Sequence, residues 1–143
     1  MNFSKQISQL AIALAFGMSL TALSTDPSQG ADQPRVYFTE PGDGATVASP
    51  VKVTIGAENF VVEPAGAVKA GAGHLHIMVD TDCVPAGNPI PKNAAHLHFG
   101  KGQMKAELKL SPGPHTFCLQ AADGNHIALE GEGLAQKITV TVK

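Results

Sequence analysis

From Pro34 onward, apolar and polar residues alternate with a period of two along most of the chain. Val51, Val53 and Ile55 alternate with Lys52 and Thr54; Met104, Ala106, Leu108 and Leu110 with Lys105, Glu107 and Lys109; Ile138, Val140 and Val142 with Lys137, Thr139 and Thr141. A strand turns successive side chains to opposite faces, so each run predicts a strand with one buried face. Further strands are predicted at Arg35 to Thr39, around Asn59 to Val62, at Gly73 to Asp80, near Ala95 to Phe99 and at Pro114 to Ala122. Turn clusters separate them, among them Pro41-Gly42-Asp43-Gly44, Pro85-Ala86-Gly87-Asn88-Pro89, Gly100-Lys101-Gly102 and Pro112-Gly113-Pro114. Seven or eight short strands in about 110 residues leave no room for crossover helices. The pattern therefore predicts an all-β chain: a single antiparallel β-sandwich of immunoglobulin-like type over residues 34–143.

The beginning of the chain breaks this pattern. Met1 to Gln9 carries Lys5 and no acid, Leu10 to Leu23 is apolar, and Ala22-Leu23-Ser24 offers the small residues that a signal peptidase reads. The apolar run is shorter than the roughly 20 residues a spanning helix needs, which argues against a membrane anchor. Residues 1–24 are expected to be a cleaved signal peptide and residues 25–33 a flexible lead-in, with the mature protein periplasmic or secreted and no stable membrane span after cleavage.

Export changes how the two cysteines, Cys83 and Cys118, are read. An even count in an oxidising compartment predicts a disulfide, which over this spacing would add about 3 to 4 kcal/mol in the loop-closure model. Buried free thiols, or a reactive cysteine assisted by a histidine, are the alternatives. Ten Lys+Arg against twelve Asp+Glu, with no basic block, remove the electrostatic footprint of a nucleic-acid partner.

The six histidines carry most of the functional information. In Gly73-His74-Leu75-His76-Ile77-Met78-Val79-Asp80, alternation buries Leu75, Ile77 and Val79 and sends His74, His76, Met78 and Asp80 to the outer face. Ala95-His96-Leu97-His98-Phe99 repeats the device with His96 and His98. If the two strands are neighbours, four imidazoles share one face, and His126, in the turn Asp123-Gly124-Asn125-His126, can reach over it. Imidazoles on a rigid sheet suit copper, zinc and nickel without the ordering cost of a floppy tract. Met78 would add a soft thioether favouring cuprous copper, and Asp80 or Asp123 could orient an imidazole from behind. The competing readings are a solvated or hydrogen-bonded structural face, or a surface that titrates near neutrality. His115 shares parity with Phe117 and Leu119 and is read as structural; Met104 belongs to the apolar face of its strand.

The same residues carry a resemblance. Gly73-His74-x-His76 leading into Val79-Asp80-Thr81-Asp82, then Pro89-Ile90-Pro91, His96-Leu97-His98-Phe99-Gly100-Lys101-Gly102-Gln103 and Pro112-Gly113-x-His115-Thr116, resemble the bacterial exported family called domain of unknown function 4399, from about Val36 to Lys143. The resemblance implies export and a compact β domain but no reaction, and it carries His74, His76, His98, His115 and His126 over as recurring histidines. The chain departs from the family pattern where Leu75 replaces a third consecutive histidine and where Ile127-Ala128-Leu129-Glu130 replaces a further one. The cysteine pair belongs to only some relatives, which suits a stabilising bridge. Copper-zinc superoxide dismutases also carry a His-x-His strand, yet no zinc subsite is visible here. The expectation is thus a non-enzymatic exported domain that binds copper first and zinc second through outward-facing His74, His76, His96, His98 and His126. An envelope module that binds a protein or glycan through a pH-sensitive histidine face is the alternative.

Overall fold

The computed structural model describes residues 33–143; the expected leader, and the lead-in except for Gln33, lie outside the described residues. Nine strands follow in order: β1 (Arg35–Glu40), β2 (Thr46–Val47), β3 (Val51–Glu58), β4 (Val61–Val62), β5 (Ala72–Val79), β6 (His96–Phe99), β7 (Lys105–Leu108), β8 (Gly113–Ala122) and β9 (Ala135–Val142). A single 3-10 turn, Glu132–Leu134, is the only helical element among the described residues, and no described helix is long and apolar enough to cross a membrane. The alternation thus predicts all the longer strands, and misses only the two-residue strand β2.

The strands form two sheets. One has the order β1-β3-β7, the other β2-β9-β8-β5-β4, with β6 also paired to β5. Pairing is antiparallel except at the two shortest strands, where β2 runs parallel to β9 and β4 parallel to β5. The main core lies between the sheets, where Val36 and Phe38 of β1 and Val51, Val53 and Ile55 of β3 meet Leu75 and Ile77 of β5, Phe117 and Leu119 of β8, and Ile138 and Val140 of β9. Phe38 and Phe117 mark the contact, with ring centroids 6.2 Å apart. Each such side chain contributes about 1.5–3 kcal/mol on leaving water, so this layer supplies most of the hydrophobic stabilisation.

One expectation needs correction here. The period-two pattern assigns the faces of β5 correctly, but the face opposite the core is not solvated. His74, Leu75, His76, Ile77 and Met78 are all fully buried, because β5 and β8 are covered on both sides. The second cover consists of loop 80–95 and loop 123–130, which lie over the outer face of the large sheet. They enclose a small apolar cluster of Met78, Ile90, Cys118, Ala122 and Ala128, with Cys83 and Val84 packed against it. Loops carry no periodicity, so the sequence pattern registers which face of a strand is polar and not what covers it.

The two loops are tied to the sheet and to each other. Cys83 and Cys118 form a disulfide with Cα atoms 5.5 Å apart. The Val84 N–H donates to Gln120 Oε1 at 2.9 Å, and Gln120 Nε2 donates to the Val84 carbonyl at 2.7 Å. Between the loops, the Gly87 N–H donates to the Ala128 carbonyl, the Ala128 N–H to the Asn88 carbonyl and the Ile90 N–H to the His126 carbonyl, at 2.8, 2.9 and 2.8 Å.

Candidate metal centre

The register of β5 sets the site. His76 stands opposite His98 of β6 on one side and Gln120 of β8 on the other, while His74 stands opposite Ala122. Alternation sends His74 and His76 to the same face, and antiparallel pairing brings His98 beside them. His126 reaches them from the second loop. Asp123 builds that turn: its Oδ1 accepts from the Asn125 and Ile127 N–H groups at 2.8 and 3.0 Å, and its carbonyl accepts from the His126 N–H at 3.0 Å. His126 itself has φ 68°, a left-handed conformation that costs most residues energy and that the turn holds in place.

The four rings form one cluster. His74 lies 4.9 Å from His76, 4.9 Å from His98 and 4.8 Å from His126, measured between centroids. His76 is 5.0 Å from His98 and 5.8 Å from His126, and the last pair is 4.7 Å apart. The Nε2 atoms of His74 and His76 approach to 3.0 Å, as do those of His98 and His126. Ligand nitrogens of His74, His76 and His98 all fall within 4.8 Å of one another, a spacing that can hold a metal ion. Two imidazole nitrogens about 2.0 Å from a tetrahedral ion stand about 3.3 Å apart, so the 3.0 Å contacts need little adjustment to become ligand pairs.

Hydrogen bonding inside the protein does not satisfy this cluster. The Nδ1 atoms of His74 and His76 are buried and have no partner. A neutral imidazole has one donor and one acceptor nitrogen, so any tautomer of the pair leaves buried polar groups unmet. A histidine acting as a structural fastener bonds a carboxylate or carbonyl; these two bond only each other. Burial, with its loss of water, is the largest cause that lowers the His74 pKa to about 4 and the His76 pKa to about 3, and repulsion from neighbouring imidazoles adds to it. His98 is lowered for the same reasons, with Lys92 contributing. His74, His76 and His98 are therefore neutral at pH 7, the form in which a ring nitrogen offers its lone pair to a metal.

The other predicted residues fall elsewhere. His96 shares the face of His98 but pairs with Met78, and its Nδ1 lies 2.9 Å from Asn93 Oδ1, so it stands apart from the four rings. Met78 is packed in the apolar cluster under the loops, where its side chain fills volume. Asp80 orients a histidine, but not one of this cluster: its Oδ2 accepts from His115 Nδ1 at 2.7 Å and its Oδ1 from the Thr116 N–H at 3.0 Å. His115 also donates through Nε2 to the Ser111 carbonyl at 2.8 Å, which gives it the structural role read from its parity. Asp123 makes no hydrogen bond to a cluster imidazole and acts on His74 by its charge, opposing the effect of burial.

Two residues of the site escape sequence reasoning. Gly100, read only as part of a turn, leaves the space that the His98 ring occupies; a Cβ there would overlap the ring. Gln120, in the otherwise apolar second half of β8 from Phe117 to Ala122, is buried beside His76 and holds loop 80–95 through both of its amide atoms. A polar residue at a strand position flanked by Leu119 and Ala121 is the one signal that could have marked it.

Comparison with known proteins adds one decisive match. A family model described as Domain of unknown function (DUF4399) matches residues 53–143. The chain belongs to this family. The matched span starts inside β3, later than the Val36 suggested by resemblance, and contains all four clustered histidines, His115 and both cysteines. No curated protein and no solved structure matches the chain at a significant level.

Proposed function

We propose that this member of the DUF4399 family is a non-enzymatic, exported metal-binding protein that takes copper first and zinc second at His74, His76, His98 and His126. The single observation that carries the reading is the convergence of four imidazoles on one covered face, two of them buried with an unpartnered nitrogen. An all-imidazole donor set suits both ions, and the order of divalent stabilities puts copper ahead of zinc. Met78 packs in the apolar cluster with Ile90 and Cys118, so the donor set proposed here is the four imidazoles. Location in the periplasm or outside the cell is supported by the apolar leader and by the Cys83–Cys118 disulfide, a bond that persists in oxidising compartments.

The competing module, binding a protein or glycan through a histidine face that titrates between about pH 5 and 7, needs that face open to a partner. Burial of His74 and His76, and their lowered pKa values, weigh against it. The test is elemental analysis of the full chain followed by titration with Cu(II) and Zn(II). One equivalent bound with submicromolar affinity, and lost in a His74→Leu/His76→Leu variant that still folds, is the expected result. Unchanged affinity in that folded variant overturns the reading.

A further inference from the structure

Loop 80–95 forms part of the roof over the outer face of the large sheet, the face that carries the histidines; at its start Asp80 bonds His115 and Thr116 of β8, and Lys137 of β9 pairs with Asp82. Cys83 is joined to Cys118, and the neighbouring Val84 is bonded twice to Gln120, the residue that stands opposite His76. Farther along the loop, Ile90 sinks into the small apolar cluster beside Cys118, and its N–H bonds the carbonyl of His126. The disulfide thus fastens a segment that bonds the backbone of His126 and lies over the face on which His74 and His76 are buried. Its effect on the main core is indirect, because Cys118 faces away from that core while Phe117 and Leu119 face into it.

We propose that the Cys83–Cys118 disulfide is a redox clasp on the histidine site: oxidised, it holds the roof closed over a bound metal, and reduced, it lets the roof lift and the metal leave. This rests on the metal-binding reading. Access to the two sulfurs is unequal, since Cys118 is fully buried and Cys83 only half-buried. A dithiol reductant therefore attacks the Cys83 sulfur, and the Cys118 sulfur leaves as a thiolate and takes a proton. The second sulfur of the reductant then displaces Cys83, which leaves as a thiol. The protein gains two electrons and two protons, and the dithiol becomes a disulfide. With the covalent tie gone, the loop depends on the Asp80 bonds to β8, the exposed Lys137–Asp82 ion pair, the Gln120 bonds, the packing of Ile90 and the bonds between the two loops, and its part beyond Val84 opens locally far more often.

The test loads the full chain with Zn(II) and follows release into an excess of chromogenic chelator, before and after reduction by a phosphine, which cleaves disulfides without competing strongly for the metal. A Cys83→Ser/Cys118→Ser variant repeats the measurement without any reductant. Release at least about tenfold faster in the reduced and serine forms is expected. Amide hydrogen exchange of the apo forms supplies the structural readout: Gly87, Ile90 and Ala128 should exchange faster on reduction, while the amides of β1 and β3 keep their protection. Zn(II) release within twofold of the oxidised rate overturns the clasp and leaves the metal reading standing. An oxidised chain that takes up neither Zn(II) nor Cu(II) overturns both. Loss of protection throughout β1 and β3 also overturns the clasp, because the disulfide is then a staple of the whole fold.

Discussion

His126 brings its Nε2 to 3.0 Å from the Nε2 of His98 although 28 residues separate them in sequence. One lies on a strand and the other in a left-handed turn, so the pair exists only because the loop is bound back onto the sheet. The backbone of His126 and its ring make opposite demands, and substitution can separate them. A His126→Gly variant removes the ring and relieves the left-handed backbone. Its apo stability should be unchanged or higher by up to about 1 kcal/mol, while metal affinity falls at least about tenfold. Chemical denaturation paired with a competition titration reads both.

Gly100 should be intolerant of even a methyl group. Its backbone is not in the glycine-only region, so the nearest conflict of Gly100→Ala is with the His98 ring. The ring must swing away, at a cost of about 1–3 kcal/mol in stability and with loss of its place in the cluster. A melt of the apo protein and the same titration check this; normal affinity would mean that His98 is dispensable.

Acid should destabilise the metal-free protein in a defined window. His74 and His76 have folded values of about 4 and about 3, below the ordinary 6.5, so the unfolded chain binds their protons first. Stability is then full above about pH 6.5 and falls as pH drops through the folded values. Urea denaturation at pH 7.5 and 4.5 should show this loss in the wild type and much less of it in a His74→Leu/His76→Leu variant, which buries no titrating group at these two positions.

The Asp80–His115 pair should act with the opposite sign. Both partners of the His115 ring, a carboxylate and a carbonyl, only accept, so both ring nitrogens carry protons, and its pKa is raised, first by the Ser111 carbonyl and then by Asp80. The stabilisation is fully present below pH 6.5 and is lost as pH rises through the raised value. An Asp80→Asn substitution keeps the left-handed backbone at φ 56°, which Asn tolerates, and weakens the charge. The variant should show a shallower loss of stability between pH 6.5 and 8.5 and, in NMR titration, a lower pKa for His115.

The alternation of residues such as Val51, Lys52 and Val53 determines the strands, since neighbouring side chains must point to opposite faces of a sheet. The same rule places His74 with His76 and His96 with His98 before any fold is known. Alternation is local, however, and says nothing about which strand lies beside which. The antiparallel pairing of β5 with β6 puts His98 against His76 while a shift of two positions leaves His96 against Met78, and only the fold decides that register. Met78 and Asp80 share the parity of His74 yet make other contacts, one in the apolar cluster and one against His115, which only the packing of loop 80–95 and the pairing with β8 decide. The burial of the cluster was equally out of reach: its roof consists of two aperiodic loops, held by a disulfide, by Gln120 and by Ile90, and such long-range contacts leave no period in the chain. The sequence by itself thus determines which side chains can share a face, and tertiary packing decides which of them meet and whether water reaches them.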